Sequence, residues 1–259
     1  MGRTRWQRES RFDSENDFGE LVDAWFDSTS APPHERVSVI GNLVMILGKS
    51  GSGKSASLRN FGQGEVGVFS VAGKRLPFRS KIQVVSYGVS YGMIMKTLKA
   101  NKSRAYVIDD AGYLLQFANF ARAKETGFAK FTDIALEFER LLSTAIKTND
   151  DTNVYFLMHP DTDDMGREKP KTIGKMLDER LCVEGLFPIV IDCKVQTGED
   201  GRPCHVFVTE NDGMNLAKAP MGMFEPVMDN DLKAVDSTIR DYYEMAPIVD
   251  ASEDAESEE

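Results

Sequence analysis

The chain has 259 residues, 41% of them hydrophobic and 28% charged, and its net charge is −10 at pH 7. This composition is typical of a globular protein with a sizeable core, and its acidic balance argues against a general electrostatic attraction to nucleic acid, though not against a local basic groove. We expect a cytoplasmic protein without membrane association, because no apolar run has the length of a membrane span, the N-terminus is charged and the three cysteines are scattered.

The first 35 residues form a polar extension before the predicted core. Its apolar residues at helical spacing are Phe18, Leu21, Val22, Trp25 and Phe26. This spacing predicts a short amphipathic helix. The helix either packs on the core or binds a partner, and the sequence leaves both alternatives open.

An apolar run over residues 42–47 stops at a glycine-rich loop that ends in Gly-Lys-Ser. Gly48, Gly53, Lys54 and Ser55 fill every fixed position of the G-x-x-x-x-G-K-[ST] motif, between a predicted strand and a predicted helix. Glycines let backbone N–H groups turn inward around phosphate oxygens, and a helix start favours the same anion. The predicted ATP-binding residues are Gly48, Lys49, Ser50, Gly51, Ser52, Gly53, Lys54, Ser55 and Ala56. Lys54 is expected to reach the β- and γ-phosphates, and the Ser55 hydroxyl to bind Mg²⁺.

Strands and helices alternate along the rest of the core. Strands are predicted at 66–71, 81–85, 105–110 and 153–158, and helices at 91–100, 111–122, 132–147 and 174–180. Strands 188–195 and 204–208 are predicted to form a hairpin, followed by a helix at 231–243. This order predicts an α/β fold with a mostly parallel sheet, helices on both faces and an antiparallel edge hairpin.

The predicted organisation has four parts. They are the extension at 1–35, a P-loop NTPase core at 36–215, a helical segment at 216–248 and a disordered acidic tail at 249–259.

Two acids follow the apolar strand at 105–108, at the place where a P-loop site needs a carboxylate for its metal. We predict that Asp109 holds Mg²⁺ together with Ser55. Asp110 is a candidate to orient the attacking water. The alternative for Asp110 is a helix N-cap, since a helix is predicted from Ala111.

His159 comes directly after the strand at 153–158. In parallel α/β sheets the ligand lies beyond the C-terminal ends of the strands, so His159 is either a γ-phosphate sensor or a structural histidine. Pro160 prevents the strand from continuing as a central one, and the polar stretch to Lys171 predicts a mobile loop.

Several segments resemble phage-encoded AAA-type nucleotide-binding proteins, and in particular the RecA-core single-strand annealing proteins of the Sak type. The similar segments are the P-loop at 48–60, Gly-Lys-Arg-Leu-Pro-Phe at 73–78, Asp-Asp at 109–110 and the stretch at 171–179, which begins Lys-Thr-Ile-Gly-Lys. The resemblance covers residues 40 to 215. It implies a RecA-like ATPase core that binds or anneals single-stranded DNA in phage recombination or replication, in the cytoplasm of the host cell. RecA carries a glutamate base after its P-loop region, whereas residues 71–82 here contain no acid, which favours Asp110 for that role.

The resemblance also implies partners beyond DNA. A homo-oligomer with a nucleotide site shared between neighbours is expected, as is a single-strand-binding protein. Lys175 is the candidate for a basic residue that completes the neighbour's site and stabilises the hydrolytic transition state. The alternative is that Lys175 only solvates a helix.

Two groups of residues are candidates for contacts with single-stranded DNA, because basic groups track phosphates and aromatic faces stack on bases. One group consists of Arg167, Lys169, Lys171 and Lys175. The other consists of Arg122, Lys124 and Lys130 with Phe117, Phe120, Phe128 and Phe131. The alternative function is a nucleotide-gated assembly or loader protein, in which ATP controls a protein partner through the last helix and the tail.

Overall fold

The structure is a computed structural model that describes residues 41–82, 84–174, 177, 181–198 and 200–248. The amphipathic segment near Trp25, Lys175, most of the helix predicted at 174–180 and the acidic tail lie outside the described residues. These expectations therefore stay predictions. In the described part of the chain, no helix is long and apolar enough to cross a bilayer.

One eight-stranded sheet forms the centre of the structure, in the order β10-β9-β8-β1-β5-β4-β2-β3. Its strands are β1 (Asn42–Leu47), β2 (Gly67–Ser70), β3 (Val84–Tyr87), β4 (Ala105–Asp109), β5 (Asn153–Met158), β8 (Ile189–Thr197), β9 (Pro203–Val208) and β10 (Val227–Asp229). A separate two-stranded hairpin pairs β6 (Pro160–Thr162) with β7 (Glu168–Pro170).

Six neighbouring strands of the sheet run parallel to one another: β8, β1, β5, β4, β2 and β3. Strands β9 and β10 add an antiparallel edge next to β8. Strand β5 lies between β1, which leads into the P-loop, and β4, which ends in Asp109. The predicted fold class is thus confirmed as an α/β fold with a mostly parallel sheet, helices on both faces and an antiparallel edge hairpin. Because the parallel strands end at one edge of the sheet, the P-loop, Asp109 and His159 come together there.

The helices pack on both faces of the sheet. They are α1 (Tyr91–Ala100), α2 (Gly112–Ala121), α3 (Ala129–Ile146) and α4 (Leu232–Tyr242), with 3-10 helices at Ser55–Asn60 and Val183–Leu186. Alternate residues of β1 divide between the two faces: Leu43 and Met45 join the cluster under α1 to α3, and Val44 and Ile46 join the cluster under α4. Side chains on a strand alternate in this way, and burial on both faces explains the continuous apolar run of β1.

The structure differs from the sequence predictions at four places. The P-loop leads into a six-residue 3-10 helix rather than an α-helix, and the strand predicted at 81–85 begins at Val84. The loop predicted after His159 is the β6–β7 hairpin, in which Pro160 starts a new strand outside the main sheet. Residues 216–248, expected to be helical, also contribute strand β10, which is too short to show an alternating pattern.

Helix α4 is attached to the sheet by a buried polar cluster. The Asp236 carboxylate accepts hydrogen bonds from Tyr155 OH at 2.7 Å, from Asn153 Nδ2 at 2.8 Å and from Arg240 Nε at 2.6 Å. Arg240 in turn donates to the carbonyl oxygens of Arg104, Asp151 and Ala246. Burying these charges is tolerated because their hydrogen-bonding groups find partners.

We expect Tyr155→Phe to lower the free energy of unfolding by about 2 kcal/mol, since the change removes one hydrogen bond to a buried carboxylate and keeps the ring. Urea unfolding measures the effect. Tyr87→Phe is the matched control, because Tyr87 is half exposed on the edge strand β3. Equal stability of the two variants would contradict the role given to the cluster.

Candidate nucleotide-binding site

The P-loop fills residues 48–54, between β1 and the 3-10 helix. Gly51 and Gly53 have φ angles of +82° and +104°, a region that favours glycine. At Gly48 a Cβ atom would overlap with Ser52 Oγ and lie 2.7 Å from the carbonyl oxygen of Cys193. Nothing lies within 4 Å of the Cβ position of Gly51, so the outer side of the loop is open.

The Lys54 ammonium is folded back over its own loop. Its Nζ donates to the carbonyl oxygen of Gly48 at 2.6 Å and to that of Lys49 at 3.1 Å, and the side chain is buried. Burial lowers the pKa of Lys54, an effect that Asp110, Cys193 and Asp109 offset in part. The ammonium is thus held inside the loop, while Lys49 and Ser50 are exposed.

Ser55 and Asp109 meet across the site, as the metal prediction requires. Ser55 Oγ donates to Asp109 Oδ1 at 2.9 Å, although 54 positions separate the two residues in the chain. The Asp109 side chain is buried, and this burial, with the nearby charge of Asp110, raises its pKa to about 6 despite the Ser55 hydrogen bond. A hydroxyl and a carboxylate at hydrogen-bond distance form an oxygen pair of the kind that Mg²⁺ prefers.

Asp110 is held by two basic side chains. Its Oδ1 lies 3.2 Å from His159 Nε2, and its Oδ2 lies 2.8 Å from Lys74 Nζ. Burial acts to raise the pKa of Asp110, but the hydrogen bonds from His159 and Lys74 outweigh burial and hold the pKa at about 2. Asp110 therefore stays ionised near neutral pH.

The helix-cap interpretation of Asp110 is wrong. The residue before α2 is Ala111, which makes no side-chain cap, and Asp110 itself has a φ angle of +62°. Left-handed backbone is uncommon for a residue other than glycine and is tolerated at sites that the surroundings fix. Here the carboxylate points to Lys74 and His159 rather than to the helix start.

Lys74 is a site residue that the sequence analysis did not single out. It follows Gly73, whose φ angle is +69°, in the turn after β2. Its Nζ lies 5.3 Å from the centroid of the Tyr113 ring, and the hydrogen bond to Asp110 raises the pKa of Lys74. The Gly-Lys-Arg segment was noted for its resemblance alone. The sequence signal that could have identified Lys74 is its position shortly after the predicted strand β2, which lies next to β4 in the sheet.

Residues from the C-terminal third of the chain hold the P-loop from outside. The carbonyl oxygen of Ser52 accepts hydrogen bonds from Cys193 Sγ at 3.1 Å and from His205 Nδ1 at 2.8 Å. Asn230 Nδ2 donates to Cys193 Sγ at 3.2 Å. These contacts hold the Ser52 carbonyl on the β8–β9 side and thereby fix the peptide that precedes Gly53. No sequence motif marks Cys193, His205 or Asn230.

We expect His205→Ala to weaken ATP binding about fivefold, since the loss of one hydrogen bond that orders the loop corresponds to about 1 kcal/mol. His205→Asn is the matched control, because the amide nitrogen of asparagine can take the place of Nδ1 and donate to Ser52. Titration calorimetry with ATP and Mg²⁺ measures both. If the two variants bind ATP equally well, His205 does not position the loop.

Side chains in the two predicted DNA-binding groups are partly neutralised. Arg122 makes ion pairs with Glu125 at 2.6 Å and with Asp133 at 2.9 Å, and Arg167 pairs with Asp163 at 2.8 Å. Phe131 lies against Gly174 and is partly buried. Both arginines are therefore engaged in ion pairs, and their role as phosphate ligands stays a prediction, while Lys124, Lys169 and Lys171 are described without such an ion pair.

No protein-family model matches the chain, and no curated protein matches it. Among solved structures, the chain is similar to the crystal structure of the flagellar accessory protein FlaH from Methanocaldococcus jannaschii. The sequence identity is 14% and the TM-score 0.39, over 74% of this chain and 87% of that chain. A similarity of this size carries no conclusion about the activity or the family of this chain.

Proposed function

We propose that this protein is an ATPase of RecA-like fold that uses Mg²⁺ and acts on single-stranded DNA. The observation that supports the ATPase most strongly is the Ser55–Asp109 hydrogen bond of 2.9 Å. The motif alone predicts that a P-loop hydroxyl and a strand-end carboxylate share a metal, and the fold brings these two side chains together.

The residues present fit a nucleotide with its metal. The open outer side of Gly51 leaves room for phosphate oxygens, which backbone N–H groups of such a loop can bind. Two N–H groups of the loop are already used, since Gly48 and Ser52 donate to the carbonyl oxygens of Met158 and Lys49. Bound Mg²⁺ would be held by Ser55 and Asp109 and would neutralise phosphate charge. Lys54 is in place to exchange its bonds with the Gly48 and Lys49 carbonyls for bonds to phosphate.

Asp110 is proposed to orient the attacking water. With a pKa of about 2 it is a weak proton acceptor, so it contributes a fixed charge and a hydrogen bond to water rather than a large proton affinity. His159 and Lys74 set the direction of the carboxylate and are its positioning residues. His159 is proposed to sense the γ-phosphate, since it bonds the carboxylate that would orient the water.

The DNA partner is proposed from the family resemblance and from the aromatic residues of α2 and α3. The alternative, a loader protein that acts through its last helix, has weaker support. The apolar side of α4 is already covered, because Leu232, Val235 and Ile239 are buried against the sheet. A homo-oligomer with a shared site, and Lys175 as its basic residue, stay predictions.

The experiment that separates the two functions compares ATP hydrolysis with and without an oligo-thymidine single strand. The proposal predicts hydrolysis that depends on Mg²⁺ and rises when the strand is added. Hydrolysis that is unchanged by single-stranded DNA favours the loader function, and the absence of ATP binding by the wild-type protein overturns both.

A further inference from the structure

Three phenylalanine side chains near the turn between α2 and α3 are exposed to solvent: two in the second half of α2 and one directly before α3. Phe117, Phe120 and Phe128 have exposed fractions of 47%, 72% and 85%. Arg122 Nη1 donates to the carbonyl oxygen of Lys130 at 3.4 Å, which closes the turn and brings its two ends together. Phe120 and Phe128 each lie two residues from this contact. We call Phe117, Phe120 and Phe128 the phenylalanine surface.

The surroundings of the phenylalanine surface fit a nucleic-acid strand better than a protein. Between residues 116 and 133 the large apolar side chains are all phenylalanines, with no leucine, isoleucine, valine or methionine, and the residues between them are small or polar. Protein interfaces bury a contiguous apolar core, whereas bases stack on single exposed rings. Lys124 is exposed on the same turn, so its ammonium is available for a phosphate. Lys130 Nζ lies 4.9 Å from the Phe131 ring centroid and donates to the carbonyl oxygen of Arg122 at 3.5 Å, a bond that it can exchange for one to a phosphate.

A run of ring contacts joins this surface to the nucleotide site. Phe117 stacks on Tyr113 with 5.5 Å between ring centroids, and Tyr113 meets the His159 ring edge-on at 6.0 Å. His159 in turn bonds Asp110 at 3.2 Å. Helix α2, which begins two residues after Asp110, carries both Tyr113 and Phe117. A displacement of Phe117 therefore has a packed route to the carboxylate that is proposed to orient water.

We infer that the phenylalanine surface binds single-stranded DNA by base stacking, and that Tyr113 transmits the bound state to His159 and Asp110. This inference rests on the proposed function and adds to it the binding surface and the path of regulation. The rings supply sequence-independent stacking, and the lysines supply the phosphate contacts, so binding is expected to tolerate any base and to weaken with salt.

The binding test uses fluorescein-labelled oligo-thymidine and fluorescence anisotropy. The double substitution Phe120→Ala with Phe128→Ala is expected to weaken binding by roughly tenfold for each ring. Phe120→Leu with Phe128→Leu, which keeps apolar surface but removes the rings, is expected to weaken binding nearly as much. Met221→Ala is the control, since Met221 is 95% exposed and lies outside the surface.

The outcomes distinguish a failure of the surface from a failure of the function. If the wild-type protein binds the strand and the alanine pair binds it equally well, the surface is wrong and the proposed function stands. If the leucine pair binds the strand like the wild type while the alanine pair does not, apolar contact alone accounts for binding at this surface, and base stacking is wrong. If the wild-type protein does not bind the strand, both proposals fail.

The coupling is tested at Tyr113, which does not belong to the phenylalanine surface. Tyr113→Leu is expected to keep DNA binding within about twofold and to lose the stimulation by DNA, measured as the ratio of hydrolysis with and without the strand, because the ring between Phe117 and His159 is gone. Tyr113→Phe keeps the ring and is expected to keep the stimulation. Full stimulation in Tyr113→Leu would show that the signal takes another path.

Discussion

Lys54→Ala is expected to reduce ATP hydrolysis by at least about 100-fold, the loss typical of removing one charged group that stabilises a transition state. The variant should remain folded. Burial lowers the pKa of Lys54, which means that the protein interior disfavours its positive charge. The substitution therefore removes the desolvation penalty of this charge, and this gain offsets the loss of the hydrogen bonds to the carbonyl oxygens of Gly48 and Lys49. Steady-state phosphate release measures the activity, and circular dichroism with thermal unfolding checks the fold.

Two further lysine variants sharpen this test. Lys54→Arg keeps the positive charge but replaces a compact ammonium with a planar fork, and we expect it to be nearly as inactive because the loop encloses the side chain. Lys99→Ala removes an exposed lysine from α1 and is expected to hydrolyse ATP at the wild-type rate. Wild-type hydrolysis by Lys54→Ala would show that the P-loop is not the catalytic site.

The sequence predicted the parts of the site that depend on local order. Ser55 was assigned from its motif and Asp109 from the apolar strand before it, and their contact needs only that β1 and β4 end at one edge of the sheet. Helix α1 and strand β5 have the predicted bounds, because their periodicity and apolar run are unambiguous. A local sequence pattern is enough to predict the position of a residue when a single strand or helix determines that position.

Contacts that join distant segments were not predictable. His205 and Cys193 reach the P-loop because the β8–β9 hairpin lies beside β1, and nothing in their own neighbourhoods signals that placement. The ion pairs of Arg122 were not predictable for a related reason. Its partner Asp133 is 11 positions away, on the next helix, and a count of basic residues does not show which of them are paired. Charge patterns indicate a binding surface only after the ion pairs are known.

Asp109→Asn is expected to weaken metal binding and, in the absence of metal, to raise the free energy of unfolding. In the folded protein the pKa of Asp109 is about 6, above the ordinary value of 3.8, so the folded state holds this proton more tightly than the unfolded chain does. The free energy of unfolding therefore falls as pH rises from about 4 to about 6, and it stays lower above that range. Two pKa units correspond to about 3 kcal/mol as an upper figure for the ionisation cost in the absence of metal.

An asparagine at position 109 cannot ionise, and its side-chain oxygen can still accept the Ser55 hydroxyl. In EDTA at pH 8 we expect Asp109→Asn to unfold at a higher temperature than the wild-type protein, and the difference to vanish near pH 4, where the wild-type carboxyl is also neutral. With Mg²⁺ and ATP the order reverses, since the wild-type protein gains stability from the bound ligands and the variant has lost a metal ligand. Hydrolysis by the variant should fall at least about 100-fold. A variant that is less stable than the wild type in EDTA at pH 8 would show that Asp109 is a structural carboxylate, kept for its hydrogen bond to Ser55 rather than for a metal.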